Sequence, residues 1–409
     1  MHDEFAMAVD EEVLEQGISR RQWLDIMAKG GLAAALAGLS IPAMAAPDDD
    51  VVRIGYLPIT DATALLVAHA NGYFKDEGLE AEKPTLIRGW SPLIEGFAAR
   101  KFNLVHFLKP IPIWMRYNNK FPVKLMAWAH TNGSALVVGK DTGIDSFADL
   151  GGKQVAVPYW YSMHNIVLQM AIREANVKAV IKPQGAALAP DECNLQVMPP
   201  PDMPPALAGR KIDAFIVAEP FNALGELKAG AKMLRFTGDM WRNHPCCTIC
   251  MHEDTVDTKP EWTQAVMNAL VRGMNFAMEN KAETAKLLSR DGEKYLPAPA
   301  PVVTRAMTYY DPKDYASPEA IQHPDWESGR IDFLGWPYPS ATKFIVEAMN
   351  DTVVSGDKTF LENLDPAFVA DDLVDYKFIR NALEKYPEWK KHPSVDPNNP
   401  YEREELLAL

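Results

Sequence analysis

The chain has 409 residues, 55 acidic against 41 basic side chains, a net charge of −14 and four cysteines. An acidic balance lacks the basic footprint of a general nucleic-acid binder, and four cysteines are too few for a disulfide scaffold, so the core must come from burial. Once the leader described next is removed, about 360 residues remain, which suits two globular lobes better than one.

The leader reads "SRRQWLDIMAKGGLAAALAGLSIPAMAAP" from Ser19. Arg20-Arg21, an apolar residue two places on, a mildly apolar run and small residues near Ala43 and Ala45 form an export signal of the twin-arginine kind over residues 1–46. The apolar run, about 17 residues long and broken by glycines and Pro42, falls short of the ~20 that a bilayer crossing needs. No cysteine follows it, so a lipoprotein is not indicated. Cleavage near Ala45 or Ala46 removes seven acidic and three basic residues and brings the charge from −14 to −10. Export by this route follows folding in the cytoplasm, where thiols stay reduced.

In chain order, an acidic linker precedes "VVRIGYLPIT", a nearly continuous apolar run expected of a strand buried on both faces. Thr60-Asp61 and "ATALLVAHANGYFKDEG" follow with helical spacing and closing glycines. "PTLIRGW", "SPLIEGFAARK" and "FNLVHFL" repeat strand, helix, strand. Such alternation implies an α/β fold with mainly parallel sheet. "FPVKLMAWAHTNGSALVVGKD" breaks the alternation as a long extended segment. Further strand and helix units follow, then "HPCCTIC", a helical region from about Glu261 to Arg290, and a polar C-terminal stretch expected to be peripheral. There is no internal repeat and no GxSxG or HExxH, and "DLGGKQ" lacks the residues of a phosphate loop.

Several segments resemble the periplasmic solute-binding proteins of the nitrate/bicarbonate/sulfonate type that feed ABC importers. They are "GYLPITDATALLVAHANGYFKDEGLE", "RGWSPLIEGFAARKFNLVHFLKPIP", "AVPYWYSMHNIVLQ", "VMPPPDMPPALAGRKIDAFIVAEPFN" and "GWPYPSATKFIVEAM". The resemblance implies an α/β fold of the two-lobe periplasmic-binding-protein type II kind, a Venus-flytrap with two crossing strands. Lobe 1 would comprise residues 51–137 plus 250–409, and lobe 2 residues 138–249. It implies a monomeric periplasmic binder with a small-molecule ligand, served by a membrane permease and an ATPase, with no catalytic residues and no cofactor. A small anion is the first ligand class and a planar heterocycle such as a thiamine pyrimidine precursor the second. An iron-dependent pyrimidine synthase-like enzyme of the same fold, or a periplasmic sensor, stands as a different class.

In open α/β sheets ligands sit at the carboxyl ends of strands, near helix N-termini. That rule selects Thr60 and Asp61 after the first strand, where the alternative is a helix cap. Trp90 and His164 match ligand-facing positions of the resembled family. Lys109 ends "LVHFL" and can neutralise an anion. Asn132 and Ser134 lie in the first crossing. Ser162 can cap the helix that His164 opens, and of the consecutive aromatics Tyr159, Trp160 and Tyr161 at least one is expected to face the cleft. Glu219 and Phe221 end a strand of lobe 2, and a carboxylate there must be paired or protonated if an anion lies nearby.

"HPCCTIC" carries Cys246, Cys247 and Cys250. Read as a strand, it places His244, Cys246 and Thr248 on one face and Pro245, Cys247 and Ile249 on the other, with same-face neighbours ~6.6 Å apart. No metal is assigned on that basis, since a straight strand does not converge its thiols. The leading reading is soft buried side chains beside a hinge, with a ligand-facing Cys246 or His244 and a metal site as alternatives.

Overall fold

Alternate residues of the central strands are buried on opposite faces. In Ser134–Val138, Leu136 and Val138 join a small apolar cluster with Val155, Val157 and Ile216, while Ala135 and Val137 join the large core with Ala156, Phe215 and Val217. A sheet covered on both sides requires such continuous apolar runs. The computed structural model describes residues 50–409, so the export signal read over residues 1–46 lies outside the described residues.

Two sheets carry the architecture. One has five strands, in the spatial order Thr85–Leu86, Ile54–Tyr56, Leu104–Leu108, Cys247–His252, Val123–Trp128. The other has six, in the order Lys178–Val180, Glu192–Val197, Gln154–Val157, Ala214–Ala218, Ser134–Val138, Lys232–Phe236. Each contains one strand opposed to its neighbours. Cys247–His252 runs antiparallel to Leu104–Leu108 and Val123–Trp128, and Ser134–Val138 runs antiparallel to Ala214–Ala218 and Lys232–Phe236. The other pairs within these two sheets are parallel. In both sheets the opposed strand is the one that has just arrived from the other sheet. It starts where its neighbours end, so it has to run against them. The expected α/β architecture with two crossings is thus observed, with mixed rather than mainly parallel sheets.

The first crossing lies between Trp128 and Ser134 and the second between Phe236 and Cys247. Asn132 and Gly133 turn the first one, with φ of 60° and 75°. A Cβ at Gly133 would lie 2.9 Å from Ile331, so glycine is needed there for space as well as for its dihedral. The Asn132 N–H donates to the His244 carbonyl at 2.8 Å and Thr131 bridges Pro245, so the crossings are paired with each other. Ile331–Asp332 adds a short antiparallel ladder to Thr131–Asn132.

Helix Pro260–Glu279 packs on Thr63–Ala70, where a Cβ at Gly273 would come within 2.5 Å of the Ala64 carbonyl oxygen. The expected helical region ends at Leu288, after a break between Pro260–Glu279 and Lys281–Leu288. The C-terminal stretch is not peripheral. Trp336 Nε1 donates to the Tyr401 carbonyl, Trp241 Nε1 donates to Glu405 at 2.7 Å, and Leu407 bridges Trp241. Its partners are tryptophans far away in the chain, so local polarity misrepresents it. Among the described residues no helix is long and apolar enough to cross a membrane.

Candidate functional site at the strand crossings

Because each entering strand begins beside the carboxyl ends of its neighbours, the residues after those ends meet the crossings. Asp61 follows Ile54–Tyr56, His130 follows Val123–Trp128, His164 lies in the first turn of helix Met163–Glu174, and Cys246 and Cys247 lead in from the second crossing. All are buried. Asp61 Oδ2 is the hub, 2.9 Å from His130 Nε2, 3.1 Å from Cys247 Sγ and 3.8 Å from Cys246 Sγ. Cys246 Sγ also lies 3.8 Å from His164 Nε2 and 3.8 Å from Ser134 Oγ, and Ser134 Oγ lies 2.9 Å from His164 Nε2.

Two adjacent cysteines therefore reach one carboxylate, which the strict two-face reading of "HPCCTIC" did not allow. Pleat alternation holds only inside a paired strand, and the strand starts at Cys247. Cys246 stands just before it, its carbonyl accepting from the Lys109 N–H, so its side chain is free of the pleat and swings to the Cys247 side.

Burial dominates the electrostatics. It pushes the Asp61 carboxyl up against the opposing pull of His130. Burial would lower His130, but the Asp61 carboxylate beside it outweighs this and carries its pKa up to about 10. The Cys246 thiol is raised by burial, yet Cys247, His164 and His130 around it hold it well below the ordinary value. Cys247 is pushed well above the ordinary value by burial and by its Cys246 and Asp61 neighbours. The cluster thus shifts two chemically identical thiols in opposite directions.

Around this hub lies a shell of buried nitrogens without a hydrogen-bond partner: Trp90 Nε1, His106 Nδ1, Lys109 Nζ, His164 Nδ1 and both ring nitrogens of His244. His106 accepts from the Leu57 N–H through Nε2 at 3.0 Å and packs edge-on to Trp90. Burial depresses His106 and His244 to about 3 each, with His130 adding to the depression of both. Both rings are neutral, with one N–H each to offer.

A profile of the NMT1-like family matches residues 45–289. The chain belongs to the NMT1-like family. It is 26% identical over 294 residues to the nitrate/nitrite binding protein NrtA of Nostoc sp. (strain PCC 7120), covering 66% of this chain and 64% of that protein. It is 24% identical over 236 residues to the nitrate import ATP-binding protein NrtC of Synechocystis sp. (strain PCC 6803), covering 56% of this chain and 35% of that protein. The chain thus spans less than two thirds of the length of either relative. The crystal structure of the periplasmic nitrate-binding protein NrtA from Synechocystis PCC 6803 is similar with a TM-score of 0.66 at 18% identity, over 87% of this chain and 97% of that one. The shared fold is the two-lobe periplasmic-binding-protein fold.

In this NMT1-like chain the structure gathers some of the expected residues and sends others elsewhere. Asp61, Ser134 and His164 meet at the hub, and Trp90 packs edge-on to His106. Asp61 is no helix cap, for the turn Thr60–Ala62 has no side-chain cap and Thr63 Oγ1 donates to the Thr60 carbonyl instead. Thr60 binds the Glu219 carbonyl through its N–H and hydroxyl. Ser162 caps its helix, accepting from the Asn165 N–H at 3.0 Å. Lys109 Nζ stands 4.6 Å from the centroid of the Trp128 ring. Asn132 donates to the Gly329 carbonyl, and Glu219 is engaged by Arg330. Phe221 packs in the large core, Tyr159 against that core's edge and Trp160 against the smaller cluster. The residues that sequence reasoning did not select are His130, His106 and Arg330. A histidine beside the Asn-Gly turn of the first crossing was the available signal for His130.

Proposed function

We propose that the chain is the extracytoplasmic substrate-binding component of an ABC importer, capturing a small oxyanion such as nitrate, bicarbonate or a sulfonate between its two lobes. A membrane permease and an ATPase would be its partners, and the paired crossings would be the hinge. The observation that supports the ligand class is the surplus of buried N–H donors without a partner. Trp90, His106, Lys109, His164 and His244 supply nitrogens from both lobes against a single unpartnered carboxylate oxygen at Asp61. Buried donors are costly unless an acceptor meets them, and an oxyanion is rich in acceptors.

The test is a thermal-shift screen of the full chain against nitrate, bicarbonate, sulfonates and pyrimidines. Ligand at ~100 times its dissociation constant should add ~2.7 kcal/mol of stability. Stabilisation by one of the oxyanions supports the reading. A shift produced only by the pyrimidines assigns the site to planar heterocycles instead.

A further inference from the structure

We propose that Asp61, His130, Cys246 and Cys247 form a tetrahedral site for a borderline-soft dication of the zinc type, which pins the two strand crossings together. The inference is separate from the oxyanion reading, whose nitrogens come from Trp90, His106, Lys109, His164 and His244, none of them among these four residues.

Geometry carries it. One ligand atom from each of the four residues lies within 4.8 Å of all the others. An ion bonded at ~2.0 Å to nitrogen and oxygen and ~2.3 Å to sulfur separates a nitrogen from an oxygen by about 3.3 Å, and a sulfur from an oxygen by about 3.5 Å, in a tetrahedron. The observed separations from Asp61 Oδ2 are 2.9 Å to His130 Nε2, 3.1 Å to Cys247 Sγ and 3.8 Å to Cys246 Sγ. Contraction or expansion of a few tenths of an ångström would bring each to that value.

A second observation is independent of the spacing. His130 Nε2 lies 2.9 Å from a carboxylate oxygen yet makes no hydrogen bond, and Asp61 Oδ1 has no partner either. A close contact that is not aligned as a hydrogen bond, between two fully buried groups, is what two ligands of one ion present. The donor set selects the metal. Two thiols, an imidazole and one carboxylate are poorly matched to calcium or magnesium, which take oxygen ligands, and suit zinc. Binding would release the thiol protons, so the site carries two thiolates and a carboxylate against the dication.

The consequence lies in the fold. Asp61 comes from the turn after the first strand, His130 from the first crossing and the two cysteines from the second. An ion held by all four fixes the crossings relative to lobe 1 and adds its binding free energy to the closed arrangement of these segments.

The experiment uses the full chain, purified without added metal and then dialysed against a chelator. Metal content by mass spectrometry, and titration with Zn²⁺ and Co²⁺, are read together. The expected result is one ion per chain, a thiolate-to-cobalt charge-transfer band with visible bands of tetrahedral intensity, and a higher melting temperature with Zn²⁺. Cys247→Ser and Asp61→Asn should each weaken Zn²⁺ by more than ~10-fold, at least the effect of losing an outer-sphere partner. Cys250→Ser is the control, because that buried thiol contacts the Thr248 hydroxyl, stands outside the four-residue cluster and should leave the cobalt spectrum unchanged. A folded wild-type chain that takes up no cobalt into thiolate coordination overturns the proposal. So does a cobalt spectrum that survives in Cys246→Ser/Cys247→Ser. If a variant does not fold, the wild-type stoichiometry and spectrum decide alone. Loss of metal binding with the oxyanion shift intact, or the reverse, shows which of the two readings fails.

Discussion

Arg330 and Glu219 form an ion pair sealed from solvent, with a guanidinium nitrogen 2.6 Å from the carboxylate. Glu219 immediately follows the strand Ala214–Ala218 of the six-stranded sheet, while Arg330 immediately precedes the short strand Ile331–Asp332 that pairs with the first crossing. The same guanidinium reaches Glu226 at 3.0 Å and donates to Tyr315 at 2.8 Å. A carboxylate chosen from sequence as a ligand contact is thus engaged internally and joins the crossing to the six-stranded sheet.

Removing one side of this pair leaves a buried charge without compensation. Arg330→Met should lower the unfolding free energy by about 3–5 kcal/mol, measured by urea denaturation. Adding Glu219→Gln should recover part of that loss, because the stranded carboxylate is neutralised. A loss below ~1 kcal/mol in the single variant would contradict a pairing role for Arg330.

Lys109 presents the opposite case. Its ammonium is fully buried, has no hydrogen-bond partner, and is held well below its ordinary pKa by burial, with Glu405 opposing and Arg403 reinforcing the effect. A group of this kind costs stability and persists where function needs it. Lys109→Met should leave the chain without ligand as stable as wild type or more so, and should abolish the oxyanion-induced thermal shift. A fall of more than ~2 kcal/mol in denaturant stability would mark Lys109 as structural.

Asp332 sets an acid limit. Its carboxyl is buried, which raises its pKa, but Lys281 at 2.5 Å and His392 at 3.7 Å outweigh burial and hold it below the ordinary value of 3.8. A depressed carboxylate contributes stability that is complete above the unfolded-state pKa and lost as pH falls through the folded-state value. Unfolding free energy should therefore decline from about pH 5 downward. Asp332→Asn should be less stable at neutral pH and should show a flatter decline. An equally steep decline in the variant would place the acid sensitivity elsewhere.

Much of the architecture was legible in the sequence, because strand and helix periodicity report local dihedrals and burial. The segments Gln154–Val157 and Ala214–Ala218 read as strands, and Ser162 read as a cap, each from neighbours a few residues away. Of the residues that converge, Asp61 was selected by the strand-end rule, Ser134 by its place in the first crossing and His164 by a family resemblance. The pairing of Cys246 and Cys247 with Asp61 joins residues 185 and 186 positions apart. It depends on the strand beginning at Cys247 rather than one residue earlier, a register set by pairing with Leu108 of another strand. Arg330, His130 and the C-terminal tail were likewise placed by distant partners. Sequence by itself determined which segments form strands and helices and which of them break the alternation to cross. Tertiary structure alone decided which buried side chains converge, since convergence is fixed by where strands start against one another, and that leaves no local pattern.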